Sequence, residues 1–331
     1  MTDKKVYDTL IIGAGPCGLA CGIEAKKAGL DYLIIDKGSI TESIRRYPIN
    51  MTFFSTSENI EIGDIPFTSA EMRPTRTEAL RYYRRVVDHF DLNLQLFTCV
   101  EDIRNANEIF SVITNKGTFL ARKVVLAIGY YDLPRLIHVP GEDLPHVSHY
   151  YDEAYQYSTS EVVVVGGANS AIETALDLYR NGARVTVVHQ FGDFDDTAKY
   201  WITPDIRNRV KKGDINAHFS SKITSINEKE IEIKHLESGD TQTIPADFVF
   251  LMTGYRPDAE LMERIGVTLN GEAFIPEFNQ NSFETNVPGI YVAGSVVGGE
   301  ETAKIFIENG KEHGKQVIAH IKEVLETKLQ H

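Results

Sequence analysis

The chain has 331 residues, of which 42% are apolar and 24% charged, enough for two compact domains with their own cores and too apolar for disorder. A formal charge of -13 disfavours a broad nucleic-acid surface or an anionic membrane as partner, so any anionic ligand must be met by a local site. The charged start "MTDKKVYD", with no leader-like segment and no apolar run near the roughly 20 residues that span a bilayer, leads us to expect a cytoplasmic protein without a membrane partner. Cys17, Cys21 and Cys99 form no CxxC pair and no set with nearby histidines, so neither a disulfide scaffold nor a metal site is expected.

In chain order, the apolar run from Tyr7 to Ile12 predicts a strand, followed by Gly13, Gly15 and Gly18 in G-x-G-x-x-G spacing and a helix ending near Gly29. Pro16 and Cys17 complete this turn. A second strand, "YLIID", ends at Asp36 with Lys37 next to it. Such a unit turns the free N–H groups of its helix toward a diphosphate, and the acid 23 positions after Gly13 can accept from a ribose diol. "RPTRTEALRYYRRVVDHFDL" predicts an amphipathic helix with a Thr75–Glu78 capping box and Leu80, Tyr83, Val87 and Phe90 on one face. Cys99 is expected as a buried strand residue, and the backbone of Val100 beside it as an adenine contact.

"FSVITNKGTFLARKVVLAIGY" predicts a strand, a polar turn, a second strand and then an apolar strand ending near Gly129. The plan restarts at "VVVVGGANSAIETALDLYRNGARVTVVHQ", with Gly166, Ala168 and Ala171 in the motif positions and Gly167, Asn169 and Ser170 between them. Its second strand ends at His189 and Gln190, where an acid would serve NAD; the missing acid favours NADPH, whose 2'-phosphate is then not repelled. His189 is read either as a contact to that phosphate, supplemented by Lys199, Arg207 or Arg209, or as a surface histidine. Trp201 is read as a packing residue. "IEIKHLESGDTQTIPADFVFLMTGY" repeats the flap and ends near Gly254. After Gly299 a helix is expected whose positive start lies around Thr302 and Ala303, where it can face negative charge on a ligand, although Gly310 and Gly314 interrupt its pattern.

The fold class expected is α/β, with two Rossmann-like (three-layer ββα) nucleotide-binding domains, one of them, 136–252, inserted in the other, 1–135 and 253–331. These motifs resemble the thioredoxin-reductase-like flavoproteins with two dinucleotide-binding domains. "YPINMTFFSTSENIEIGDIPF", "RPTRTEALRYYRRVV" and "IFIENGKEHG" are similar to the YpdA-type bacillithiol-disulfide reductases. The resemblance implies FAD in the outer domain, NADPH in the inserted one, a small-molecule disulfide as substrate and a homo-oligomer. It implies FAD contacts from Ala127 and Gly129 in "LAIGYYDLP" and from Gly294 and Ser295 in "GIYVAGSVVGG", where Ser295 stands in place of the usual aspartate and weakens FAD binding. Tyr47 and Tyr130 are expected either against the flavin or in the core.

The chain lacks a CxxC before the second glycine motif, a cysteine pair after the first acidic strand, and an F-x-G-x-x-x-H segment. The thioredoxin relay, the glutathione-type relay and Baeyer-Villiger oxygenation are therefore not expected. Cys17, at a helix N-terminus, is the candidate to receive electrons, and the alternative is a small residue filling a tight turn. Cys21 is expected in the core. The competing functions are a ferredoxin or flavodoxin NADP reductase and a slow redox-sensing flavoprotein.

Overall fold

The computed structural model describes residues 5–106, 108–196, 198–301 and 304–329. Its chain divides into two units: Met1–Arg46, Met51–Leu133 and Tyr255–His331 make one, and Tyr47–Asn50 with Pro134–Gly254 the other.

In the first unit β1 (Val6–Ile12), α1 (Pro16–Lys27) and β2 (Tyr32–Ile35) follow as strand, glycine turn, helix and strand. Leu10, Ile11, Ile34 and Ile35 are fully buried, as parallel strands covered on both faces require. The chain continues through α2 (Arg76–Phe90), β3 (Leu94–Gln95), β4 (Val100–Ala106), β5 (Ile109–Thr114) and β6 (Gly117–Leu126). The sheet runs β3-β2-β1-β6-β5-β4, and the short strand Ile290–Val292 adds to β6 in parallel.

Two strands were expected where β6 is one. It pairs antiparallel with β5 over Gly117 to Ala121 and parallel with β1 from Leu120 to Leu126, because no turn residue interrupts "TFLARKVVL". The capping box on α2 forms as expected: Glu78 N–H donates to the Thr75 hydroxyl and Thr75 N–H to the Glu78 carboxylate. Its buried face is rotated from the expected one to Ala79, Tyr82, Tyr83, Val86 and Val87, with Leu80 and Phe90 only partly covered. The cause lies in the loop 60–67. Tyr82 stacks on Phe67 at 4.2 Å, its hydroxyl accepts from Ile62 N–H and donates to Ile65 O, and the Tyr83 hydroxyl donates to Ile60 O. A tyrosine pair thereby satisfies backbone groups that a buried loop would leave open.

The second unit holds β7 (Val147–Ser148), β8 (Glu161–Val165), α3 (Asn169–Arg180), β9 (Arg184–Val188), α4 (Thr203–Lys212) and β10 (Asn216–His218). β11 (Ser221–Ile226), β12 (Glu230–His235), β13 (Thr241–Pro245) and β14 (Phe248–Leu251) complete it. A parallel sheet runs β10-β9-β8-β14-β7, and β11-β12-β13 form an antiparallel one. Alternation along β8 separates two cores: Val162 and Val164 pack with Ile172, Ala175 and Leu176 of α3, while Val163 packs with Ile223, Ile231 and Ile233 of the antiparallel sheet. The result is three layers, helix, sheet and sheet, and the protein as a whole is an α/β fold of two Rossmann-like units.

Back in the first unit, the helix expected after Gly299 does not begin there. Thr302 and Ala303 lie outside the described residues. Lys304 to Phe306 are not helical, held by Asn309, whose side chain accepts from Phe306 N–H and donates to Lys304 O. One helical turn, Ile307–Gly310, precedes α5 (His313–Leu329).

Candidate dinucleotide sites

At the end of β1 the chain turns on Gly13, with φ at +113°, a conformation that a side chain rarely adopts. A Cβ there would also stand 2.3 Å from Ala127 O, and one at Gly18 would stand 1.9 Å from Gly13 O. These two glycines are demanded by the protein itself. Gly15 is different: its φ is −70°, and a Cβ on it would meet nothing within 4 Å. It is also the N-cap of α1, yet no side chain caps the helix. The open space and the uncapped N–H groups fit a diphosphate drawn up against the backbone.

Asp36 closes this turn from the side. Its Oδ2 accepts from Ala14 N–H at 2.6 Å and its Oδ1 from Gly38 N–H at 2.7 Å, while burial pushes its carboxyl above the usual range. Lys37 turns to Asp132 at 2.9 Å, where Arg46 also binds at 2.9 Å, so that Asp132 ties the segment after Gly129 to the loop after β2. Arg46 and Asp132 were missed by sequence reasoning, since 86 positions separate them and no motif marks either. Thr98 N–H donates to the Asp36 backbone carbonyl at 2.8 Å, and Val100 follows Thr98 by two residues at the start of β4. Cys99 is exposed, against expectation. It precedes β4, and Thr98 takes the buried position while Cys99 is held by paired bonds with Asn115.

The closing segment meets the same turn. Gly294, at φ +76°, lies so close to Cys17 that a Cβ would stand 2.8 Å from its Cβ and 2.9 Å from its Sγ, and a Cβ on Gly310 would stand 3.0 Å from that sulfur. Ser295 faces Gly129, with 3.7 Å between its Oγ and a Cβ there. Burial pushes the Cys17 thiol up to about 12, and the Lys311 ammonium is the one opposing influence. Cys21 is fully buried against the close approach of Gly314 to α1, as expected for a core residue, and burial raises its thiol too. The first unit thus gathers Gly13, Gly15, Pro16, Cys17, Gly18, Asp36, Ala127, Gly129, Gly294 and Ser295 around one turn. Tyr47, also expected near the flavin, belongs to the second unit.

His313 was also missed by sequence reasoning. Its Nδ1 accepts from Gly294 N–H at 3.1 Å, its ring stacks on Phe283 at 4.2 Å, and burial lowers it to about 4. Since the unfolded imidazole titrates near 6.5, the unfolded state binds the extra proton between these values, and stability falls as pH drops through that window. Allowing for partial solvation, we expect about 2 kcal/mol to be lost from pH 7 to pH 4.5 through this group. Urea midpoints at the two pH values should show a drop in wild type that shrinks by this amount in His313→Gln; an equal drop in both would refute the assignment.

The second unit repeats the turn. Gly166, at φ +132°, would place a Cβ 2.5 Å from Met252 O, the counterpart of Ala127. Ala171 occupies the third position, with its Cβ 3.1 Å from where a Cβ on Gly166 would stand, and no side chain caps α3. Ser170 is exposed on the first turn of α3 and Gln190 at the tip of β9. The His189 ring lies on Gly167, where a Cβ would come within 2.4 Å of Nε2, and burial lowers its pKa. Asn169 accepts from Lys199 N–H at 2.7 Å. Lys199 itself is 6% exposed and paired with Glu173 at 2.5 Å, with Trp201 beside it at 5.9 Å. These residues again fit a nucleotide diphosphate at a helix start.

Residues 10–294 match the family described as "Pyridine nucleotide-disulphide oxidoreductase". The chain is 42% identical over 315 residues to bacilliredoxin reductase Bdr of Bacillus subtilis, covering 94% of this chain and 96% of that one. It superimposes on bacillithiol disulfide reductase Bdr (YpdA) of Staphylococcus aureus with a TM-score of 0.93, at 40% identity and with 98% and 99% of the two chains covered. The Bacillus cereus protein of the same name gives 0.94 at 39% identity, with 97% and 100% covered.

Proposed function

The chain belongs to the pyridine nucleotide-disulphide oxidoreductase family, and from that premise we propose that it is an FAD-dependent reductase of bacillithiol disulfide using NADPH. The observation that carries this reading is the pair of uncapped glycine turns, one per unit, each at the C-terminal end of parallel strands, the place where dinucleotides bind in such folds. Gly13, Gly15, Pro16, Cys17, Gly18, Asp36, Lys37, Val100, Ala127, Gly129, Gly294 and Ser295 are proposed to hold FAD. Gly166, Gly167, Asn169, Ser170, Ala171, His189 and Gln190 are proposed for NADPH. When bound, the flavin supplies two-electron transfer from the nicotinamide to a disulfide.

The net reaction is NADPH, a proton and one disulfide giving NADP+ and two thiols. In our proposal the Cys17 thiolate attacks one sulfur of the substrate, releasing one bacillithiol and leaving a mixed disulfide. Two electrons then reduce that bond and release the second bacillithiol. Helix α1 favours the thiolate through its N-terminal partial charge, and packing against Gly294 and Gly310 opposes it. The sulfur must therefore turn out of that packing to react. Gly129, Ser295 and the bonds of Asp36 fix the turn around it.

A bacilliredoxin as the disulfide carrier is the second reading, favoured by the name of the Bacillus subtilis relative. The test is NADPH oxidation by FAD-loaded protein offered bacillithiol disulfide, a bacilliredoxin, glutathione disulfide, thioredoxin or ferredoxin. Bacillithiol disulfide or its redoxin should raise the rate at least about tenfold over the oxygen background. Stimulation by ferredoxin alone would make the chain a ferredoxin reductase, and no stimulation by any acceptor would leave the sensor. A homo-oligomer is proposed as well, to be read by light scattering.

A further inference from the structure

We propose that Arg207 is the residue that selects the 2'-phosphate of NADPH, and that Asp193 and Asp196 hold its guanidinium until the phosphate replaces them. The inference rests on the NADPH reading above. Strand β9 ends at Val188 and is followed by His189 with no acid at its tip, but the segment that follows brings acids back to the same place. Asp195 N–H donates to Gly167 O at 2.9 Å and Lys199 N–H to Asn169, so the loop is tied to the second glycine turn at both ends. Asp193 and Asp195 lie close enough to act electrostatically on His189. A phosphate arriving beside His189 would meet negative charge unless a cation intervened, and the half-buried imidazole is itself biased toward neutrality.

Three cations were candidates for that part, and the structure separates them. Lys199 is almost wholly buried against Glu173, and taking it away would leave a carboxylate uncompensated. Arg209 is held by Asp205 at 3.2 Å and Asp214 at 3.0 Å, and reaches Tyr179. Among the described residues, Arg207 pairs with acids of the loop after β9: its Nη2 is 2.9 Å from Asp193 and 3.2 Å from Asp196, whose side chains are 57% and 93% exposed. Exposed pairs of this kind contribute little, whereas a guanidinium and a phosphate form charge-assisted paired bonds. Exchange of two solvated carboxylates for one phosphate is therefore more favourable at Arg207, whose partners are the most exposed, than at Arg209 or Lys199.

The test uses nucleotide fragments and the FAD-loaded protein. Calorimetry should show wild type binding 2',5'-ADP at least about tenfold more tightly than 5'-AMP, and Arg207→Ala should erase the difference while leaving 5'-AMP binding unchanged. Arg207→Lys should restore part of it, and Asp193→Asn with Asp196→Asn should tighten 2',5'-ADP further. In turnover, Arg207→Ala should raise the KM for NADPH about tenfold and leave that for NADH within twofold. If Arg207→Ala keeps the wild-type preference, or weakens both fragments alike, this proposal is overturned and the NADPH reading stands. Equal binding of the two fragments by wild type would overturn both.

Discussion

Gly15→Asp protein is expected to fold at least as stably as wild type and to bind FAD at least about a hundredfold more weakly, a difference of about 3 kcal/mol. The residue sits at φ −70° with free space where its Cβ would be, so the protein itself has no need of glycine there. Aspartate is a favoured N-cap, and its carboxylate would take the N–H groups of α1 while repelling a diphosphate. Gly13→Ala should do the opposite and fail at folding, by about 3 kcal/mol or more, because the new Cβ would overlap Ala127 O at a backbone angle of +113°. Urea midpoints of the flavin-free proteins and flavin absorbance after gel filtration separate the two effects. Full flavin content in Gly15→Asp would sink the assignment of this turn.

Cys17→Ser is expected to keep its flavin and its slow NADPH oxidation by oxygen, and to lose at least about a thousandfold of its turnover with bacillithiol disulfide. Serine matches the space between Gly294 and Gly310, so retained flavin would show that the loss is chemical and not one of packing. Wild type carries its own signature. With burial holding the thiol up to about 12, the thiolate is a small minority at pH 7, and its fraction grows about tenfold for each pH unit as the group deprotonates. The kcat/KM for the disulfide should therefore climb with pH well beyond 8. A flat profile, together with an active Cys17→Ser, would assign the sulfur to gap filling and the reduction to direct transfer.

Much of this was legible before any coordinates. Each glycine motif stands beside the apolar runs that become its strands, and their spacing is local, so β1, α1 and β2, and β8, α3 and β9, could be read from neighbouring residues alone. The failures occurred where distant chain decided the outcome. The buried face of α2 was turned by tyrosine hydroxyls serving a loop 17 to 23 positions away. Cys99 reached the surface because Asn115 pairs with its backbone. Lys304 to Phe306, expected as helix, are held out of it by the side chain of Asn309.

The sequence by itself determined that there are two glycine turns between strand and helix, which unit ends in an acid and which in a histidine, and that one lone thiol lies in the first turn. These are properties of short windows, set by backbone conformation and charge. Only the tertiary structure decided which glycines are enforced by close packing and which has open space beside it, that Gly294 and Gly310 enclose the Cys17 sulfur, that the His313 ring accepts from Gly294 N–H, and that Arg207 pairs with acids of the loop after β9. Those facts depend on segments tens to hundreds of residues apart approaching within van der Waals contact, which no periodicity along the chain records.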